Sequence, residues 1–466
     1  MEPDPQPQET PSHSRLTSLP EELIEEICLQ LSDDVWGAGT MGPNTEALSA
    51  LHRTSKLLNR IAAPILYRQF HCGSRMTRTA KFLKTISYRP DLAGLVHDLR
   101  ISRPTWTDLP DEDIEFFTAA STQLGLDLEA MDNAEPGDVW DKYRYEIVSQ
   151  LLISQTYNLK RLGFIVINRR SRDGRGAFVL LQQLAAQDLD LFSLFNLEQF
   201  SYSHSDGHEV GFDYFEGLLK LAPKIQSVCA TCFNPWKDDS REPVNIYRVT
   251  DLTLRDGLIS VYGLHTIVVS CGKLERFVLE DGTVERFTSK ARRATMCLAI
   301  SQVVQVLAFH KNWLRHLDLR LAGDWCSHHA YVEYCRQGDL RVSVKSFTSL
   351  ETFKMDGEDI LFPEDHTNAF VNMLPRSIRR FHFQNARKEA PANMITLANS
   401  LGADFPFLKE VLLNPYPGSQ HKARIAAVIF DKSEIEILSQ LFKAAGVTFL
   451  KKVPTRYDSY PVPVKW

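Results

Sequence analysis

The sequence contains no Asn-x-Ser/Thr triplet, and its eight cysteines are scattered along the chain. Both features argue against a secreted, disulfide-stapled protein and point to an intracellular, reduced one. Long hydrophobic runs are missing too. The best, Thr295 to Phe309, is too short to cross a bilayer and carries Ser301, Gln302 and Gln305. No charge of one sign dominates: the net charge is -5 over 466 residues, which gives no reason to expect a nucleic-acid surface. Neither nucleic acid nor membrane is an expected partner. Residues 1–14 are rich in Pro, Gln and Glu and lack a charged-then-apolar leader pattern, so they read as a disordered arm.

Signatures of chemistry are equally scarce. No Gly-x-Ser-x-Gly, His-Glu-x-x-His, Walker or kinase pattern occurs, and Gly174-Arg175-Gly176 lacks the third glycine of a phosphate cradle. Cys229-Ala-Thr-Cys232 has the spacing of half a zinc knuckle or of a redox pair. No second Cys-x-x-Cys follows, and Cys326, His328, His329 and Cys335 lie far along the chain. Cys229 adjoins Val228 in an expected strand, where a buried free thiol is common. The acids Asp111, Glu112, Asp113 and Glu115 fit a solvated surface, and Arg169-Arg170-Ser171-Arg172 with Arg175 fits a basic loop. The expectation is a chain with no catalytic residue, cofactor or metal of its own.

What the chain does have is 44% apolar and 24% charged residues, enough for a substantial core at a length suited to a small module plus a large one. The small module runs from Ser18 to Phe70. Ser18 and Glu21 have capping-box spacing, and Pro20 sits where its missing N–H costs nothing. Leu19, Leu23, Ile27 and Leu31 recur every fourth residue, with Ile24 and Cys28 widening the stripe. A second helical stretch begins near Thr45, with Leu48, Leu51, Leu58 and Ile61 at helical spacing. Thr54-Ser55 marks a break and new cap, and Pro64 a stop or a further turn. So small a helical unit buries little surface and needs a neighbour.

Leu19-Pro20-Glu21-Glu22-Leu23-Ile24, followed by Ile27 and Leu31, resembles the start of an F-box. The segment from Leu48-Ser49-Ala50-Leu51 through Ala63-Pro64-Ile65-Leu66-Tyr67-Arg68 resembles its second half, in the form common in filamentous fungi. It departs from the family in a longer loop at Asp33–Asn44 and in His52-Arg53, where apolar and Cys residues are common. The resemblance implies a non-catalytic subunit that docks on the Skp adaptor of a cullin–RING ubiquitin ligase. It implies an interface contacted or directly shaped by Leu19, Pro20, Leu23, Ile24, Ile27, Leu51 and Leu58. Periodicity alone favours an amphipathic hairpin packed on its own chain; the Leu-Pro-x-Glu-Leu-Ile start and the Ala-Pro-x-Leu-Tyr-Arg end reverse that preference.

Beyond Pro90 the pattern apolar-x-x-apolar-x-apolar recurs ten times. The copies are Val96/Leu99/Ile101, Leu159/Leu162/Phe164, Leu197/Phe200/Tyr202, Ile225/Val228/Ala230 and Val249/Leu252/Leu254, then Leu274/Phe277/Leu279, Leu314/Leu317/Leu319, Leu350/Phe353/Met355, Ile378/Phe381/Phe383 and Leu408/Val411/Leu413. Helical patterns such as Ala291–Phe309, Ala369–Leu374 and Met394–Leu401 fall between them. A strand followed by a returning helix leaves an apolar face that only the next unit can cover. This is similar to a divergent leucine-rich repeat, although the usual Asn/Cys ladder is mostly missing.

The expected architecture is therefore α/β. A disordered arm (1–14) precedes a three-helix F-box (15–70) and a linker helix (71–94, helical from Thr77 to Tyr88). An irregular leucine-rich-repeat-like solenoid with a parallel sheet follows (95–452), then a Pro/Tyr tail (453–466). Its repeat face would bind a protein substrate. The alternative is an F-box-like repeat scaffold acting outside any ubiquitin ligase. An enzyme of unfamiliar type within residues 90–466 has no motif behind it.

Overall fold

The computed structural model describes residues 16–32, 44–72, 76–102, 110–123, 148–166, 194–204, 215–231, 246–255, 257, 259–280, 298–321, 342–357, 367–386, 388, 390–415 and 430–451. The N-terminal arm and the C-terminal tail lie outside them.

Three helices open the chain: α1 (Glu21–Ser32), α2 (Asn44–Thr54) and α3 (Lys56–Arg68). The helix expected from Ser18 begins slightly later. Pro20 closes the first turn through its carbonyl, which accepts from Leu23 N at 3.1 Å and Ile24 N at 3.2 Å. Ser55 caps α3 as expected, its hydroxyl accepting from Leu58 N at 3.2 Å. Pro64 does not stop α3. It faces outward and exposed, and Ala62, Ala63 and Ile65 around it are buried. That burial outweighs the one backbone bond the proline removes. Ile24, Cys28, Leu48, Leu58, Ala62 and Ile65 form a small core of their own, distinct from the main one.

The remainder is α/β, with one twelve-stranded sheet in sequential order β1 to β12. The strands are β1 (Gln69–Cys72), β2 (Asp98–Ser102), β3 (Arg161–Val166), β4 (Gln199–His204), β5 (Ser227–Thr231) and β6 (Asp251–Arg255), followed by β7 (Arg276–Glu280), β8 (His316–Arg320), β9 (Thr352–Asp356), β10 (Arg380–Ala386), β11 (Glu410–Pro415) and β12 (Thr448–Lys451). Every neighbouring pair is parallel. The ten sequence copies fall on β2 to β11. In each, the second and third apolar residues lie in the strand and the first lies in the turn before it; all ten of these first residues are buried, from Val96 and Leu159 to Ile378 and Leu408.

The sheet starts earlier and ends later than the pattern suggested. Gln69 to Cys72 pairs with β2, directly continuing α3. The stretch expected as a linker holds α4 (Met76–Tyr88), whose Met76, Ala80, Leu83 and Ile86 belong to the main core. It is thus part of the first strand–helix unit.

Two apolar rows run from β1 to β11 on the helix-covered side. One passes through Phe277, Leu317, Phe353 and Phe381, the other through Leu279, Leu319, Met355 and Phe383. They pack against α4, α5 (Pro90–Ala93), α6 (Asp111–Gln123), α7 (Glu216–Leu221), α8 (Val261–Ser270), α9 (Ile300–Leu307), α10 (Ala369–Met373), α11 (Ala390–Asn399) and α12 (Lys432–Ala444).

Register is held by a repeated backbone device just before the strands. The carbonyl of the residue preceding one strand accepts two N–H groups from the start of the next unit. Lys160 O accepts from Glu198 and Gln199, Thr250 O from Glu275 and Arg276, and Arg379 O from Lys409 and Glu410, all at 2.8 to 3.1 Å. Asn158 adds a side-chain link, Nδ2 donating to Gly94 O at 2.8 Å.

Candidate functional site

Two surfaces stand out, one on the helical module and one on the sheet. On α1 the fourfold spacing splits between two sides. Ile24 and Cys28 turn into the small core, while Leu19, Pro20, Leu23 and Ile27 are exposed along one line. Exposure of adjacent Leu23 is 52% against 1% for Ile24. Of the residues implied for the adaptor interface, Leu19, Pro20, Leu23 and Ile27 are available for contact. Ile24 and Leu58 are buried and shape that surface from beneath, and Leu51 is half-buried against the small core. Burial pushes the Cys28 thiol up, with help from the Glu25 charge. Arg60 on α3 meets Glu21 at 2.5 Å and ties the start of α1 in place.

The second surface is the sheet face opposite the helices. Alternation along each strand puts residues two apart on the same side. Its middle row reads Gly163, Ser201, Cys229, Thr253 and Val278 from β3 to β7, then Asp318, Lys354 and His382. Small side chains give way to charged ones at β8.

Ion pairs run within and between this row and the two that flank it. Arg161 makes a two-pronged contact with Asp98. Arg276 meets Asp251 at 3.5 Å, Arg255 meets Glu280 at 3.4 Å, and Arg320 bridges Glu280 at 3.4 Å and Asp318 at 3.0 Å. Lys354 approaches Asp318 at 3.9 Å, and His382 pairs with Glu410.

Titration on this face follows its burial. His316 is driven down to about 4 by burial first and then by the nearby Arg276 charge. His71 reaches about 4 by burial and the charges of Arg100 and Arg78. Burial also lowers His382, opposed by its bond to Glu410. Burial disfavours the Arg320 cation, but its bond to Asp318 and the charges of Asp318, Glu280 and Asp356 outweigh this and raise its pKa.

No protein-family model matches the chain, and no curated protein does.

The remaining chemistry-bearing residues separate. Cys229 lies buried in β5, its thiol pushed up to about 11 by burial. Cys232, Cys326, His328, His329, Cys335 and the arginines between 169 and 175 lie outside the described residues. Among the described residues no three His, Cys, Asp or Glu side chains cluster as metal ligands, and no helix is long and apolar enough to cross a membrane. One acid expected on a solvated surface is instead buried: Asp113 on α6 accepts an ion pair from Lys84 of α4 at 2.5 Å. The partner is remote in sequence, so local composition gave no hint of it.

Proposed function

We propose that this chain is a non-catalytic, F-box-type adaptor. Its helical module would dock on a Skp subunit of a cullin–RING ubiquitin ligase, and its leucine-rich-repeat-like sheet domain would hold a protein substrate. The observation that carries the reading is the unpartnered apolar line Leu19, Pro20, Leu23 and Ile27, on a module whose own core is closed without it. A helix that only capped the sheet domain would turn this line inward. The occupant follows from the F-box resemblance of these same residues together with their apolar chemistry. Ubiquitin transfer would then be positional: the adaptor raises the local concentration of substrate beside ubiquitin charged elsewhere, and makes no bond itself.

The test is co-purification of the full chain and of a Leu23→Asp/Ile27→Asp double variant with Skp and cullin subunits, followed by mass spectrometry. The expected result is recovery with the unaltered chain and loss with the variant, at unchanged circular dichroism. Failure of the unaltered chain to retain Skp overturns the adaptor reading. A repeat scaffold acting outside any ligase is then left.

A further inference from the structure

Each unit re-enters the sheet through a turn, so the turns before β3 to β8 form one rim at the N-terminal ends of the strands. Exposed rings recur on it: Tyr157 before β3, Phe195 before β4, Tyr247 before β6 and Trp313 before β8 are 49 to 71% exposed. Among them stand the exposed cations Lys160, Lys224, Arg248 and Arg315. Strand register sets successive turns about 4.8 Å apart, so the rim runs for about 24 Å.

Two features distinguish this rim from an ordinary solvated edge. First, three of its rings lie along it, toward neighbouring units. Tyr157 reaches back, its hydroxyl donating to Pro90 O at 3.3 Å. Tyr247 leans forward: its carbonyl accepts from Gly272 N at 2.8 Å, and a Cβ added to Gly272 would meet its ring at 2.6 Å. The Lys273 ammonium sits 4.6 Å from the centre of the Trp313 ring. Second, the charge is not neutralised. Lys160, Lys224, Arg248 and Arg315 make no ion pair among the described residues. The acids in these turns are Glu198 and Glu275, and Glu275 is already held by Lys273 at 3.0 Å.

We infer that this rim binds single-stranded nucleic acid, with phosphates on the four cations and bases stacked on the four rings. Cations that follow a backbone, beside rings that receive bases, are what a single strand needs, and every base offers a face. A duplex keeps its bases stacked on one another, out of reach of the rings. An acidic peptide would answer the cations and leave the rings bare. A bilayer takes up aromatic side chains that stand into it, whereas these lie along the rim. The net charge of -5 gave no reason to expect such a surface because it averages over the whole chain; on the rim the sign is reversed. The two-donor carbonyls of Lys160 and Thr250 already pin these turns, so binding orders little backbone. The site does not rest on the adaptor reading, because it concerns only the sheet domain.

The test is fluorescence anisotropy of the full chain with a labelled single-stranded oligouridylate of about twelve nucleotides, over a series of salt concentrations. The same strand paired with oligoadenylate, labelled polyglutamate and phosphatidylserine vesicles serve as references. Tyr247→Ala/Trp313→Ala should weaken binding at least tenfold with the salt slope unchanged. Arg248→Gln/Arg315→Gln should weaken it and flatten the slope of log K against log salt by about 1.4, two phosphate contacts at about 0.7 each. Lys432→Gln, on α12, should change neither. Circular dichroism and the thermal midpoint establish that the variants fold. Uridylate held at least tenfold tighter than thymidylate of the same length makes the strand RNA; equal affinity makes it any single strand. Oligouridylate left unbound at low salt, a duplex, polyglutamate or vesicles held as tightly as the single strand, or the ring variant within twofold of the unaltered chain, overturns the site. Neither result bears on Skp co-purification.

Discussion

Leu23 and Ile24 are neighbours in sequence and opposites in place: one faces outward on α1, the other closes the small core. Substituting them should therefore separate binding from folding. Leu23→Asp should leave helix content and thermal midpoint nearly unchanged while removing the adaptor. Ile24→Ala should cost about 2–4 kcal/mol of module stability, from lost transfer energy and the cavity left behind. Circular dichroism melts of both variants beside the co-purification decide it. Equal destabilisation by the two would place Leu23 in a core.

Acid should weaken the sheet through two histidines. His71 and His316 have folded pKa values driven from an ordinary 6.5 to about 4. The unfolded chain then takes up protons first as pH falls, so stability drops from pH 6.5 toward 4. Between pH 7 and 5.5 each histidine should contribute a loss of about 1 kcal/mol, less where solvent screens it. Urea midpoints at the two pH values measure this. Changing both residues to Gln should flatten the dependence.

Asp98 and Arg161 should show strong coupling. Asp98 is buried at the joint of β2 and β3, and Arg161 is held on it by two nitrogens. Asp98→Ala removes the buried carboxylate on which the guanidinium is held and should cost about 3–5 kcal/mol. Removing Arg161 as well should restore part of that loss. A double-mutant cycle in denaturant reads the coupling directly.

Two glycines in equivalent turns should respond differently to alanine. A Cβ at Gly272 would meet the backbone oxygen of Tyr247 at 2.6 Å, which cannot move without shifting the turn. A Cβ at Gly94 would meet only the hydroxyl end of the Tyr157 side chain at 2.4 Å, which can swing away. Gly272→Ala should therefore cost about 1–3 kcal/mol and Gly94→Ala clearly less. Thermal midpoints of the two variants make the comparison.

The strands that could be read from sequence are those whose apolar spacing is repeated intact, β2 to β11. The first strand carries the same spacing in Tyr67, Phe70 and Cys72, but Tyr67 belongs to the end of α3, so the spacing alone does not separate the strand from the helix. The last breaks it, because Lys451 stands opposite Leu413, where every inner strand has an apolar residue. Ser55 was legible as a cap because capping is local. The Lys84–Asp113 pair and the rim from Tyr157 to Trp313 were not, since their members meet only through packing and strand register. On α1, periodicity identified the apolar residues, but only the packed helices divide them into an outer line and an inner core.

The two-donor carbonyl before each strand from β2 to β10 joins a unit only to its immediate neighbours, so order in the sheet can spread as it does in a zipper. The ends are unequal. At β1 the chain arrives directly from α3, while β12 is an edge strand with three of its four residues exposed. Opening should start at the C-terminal edge and travel inward one unit at a time. Amide exchange would then be fastest at β12 and β11, slowest among the inner strands, and graded in the order of the chain.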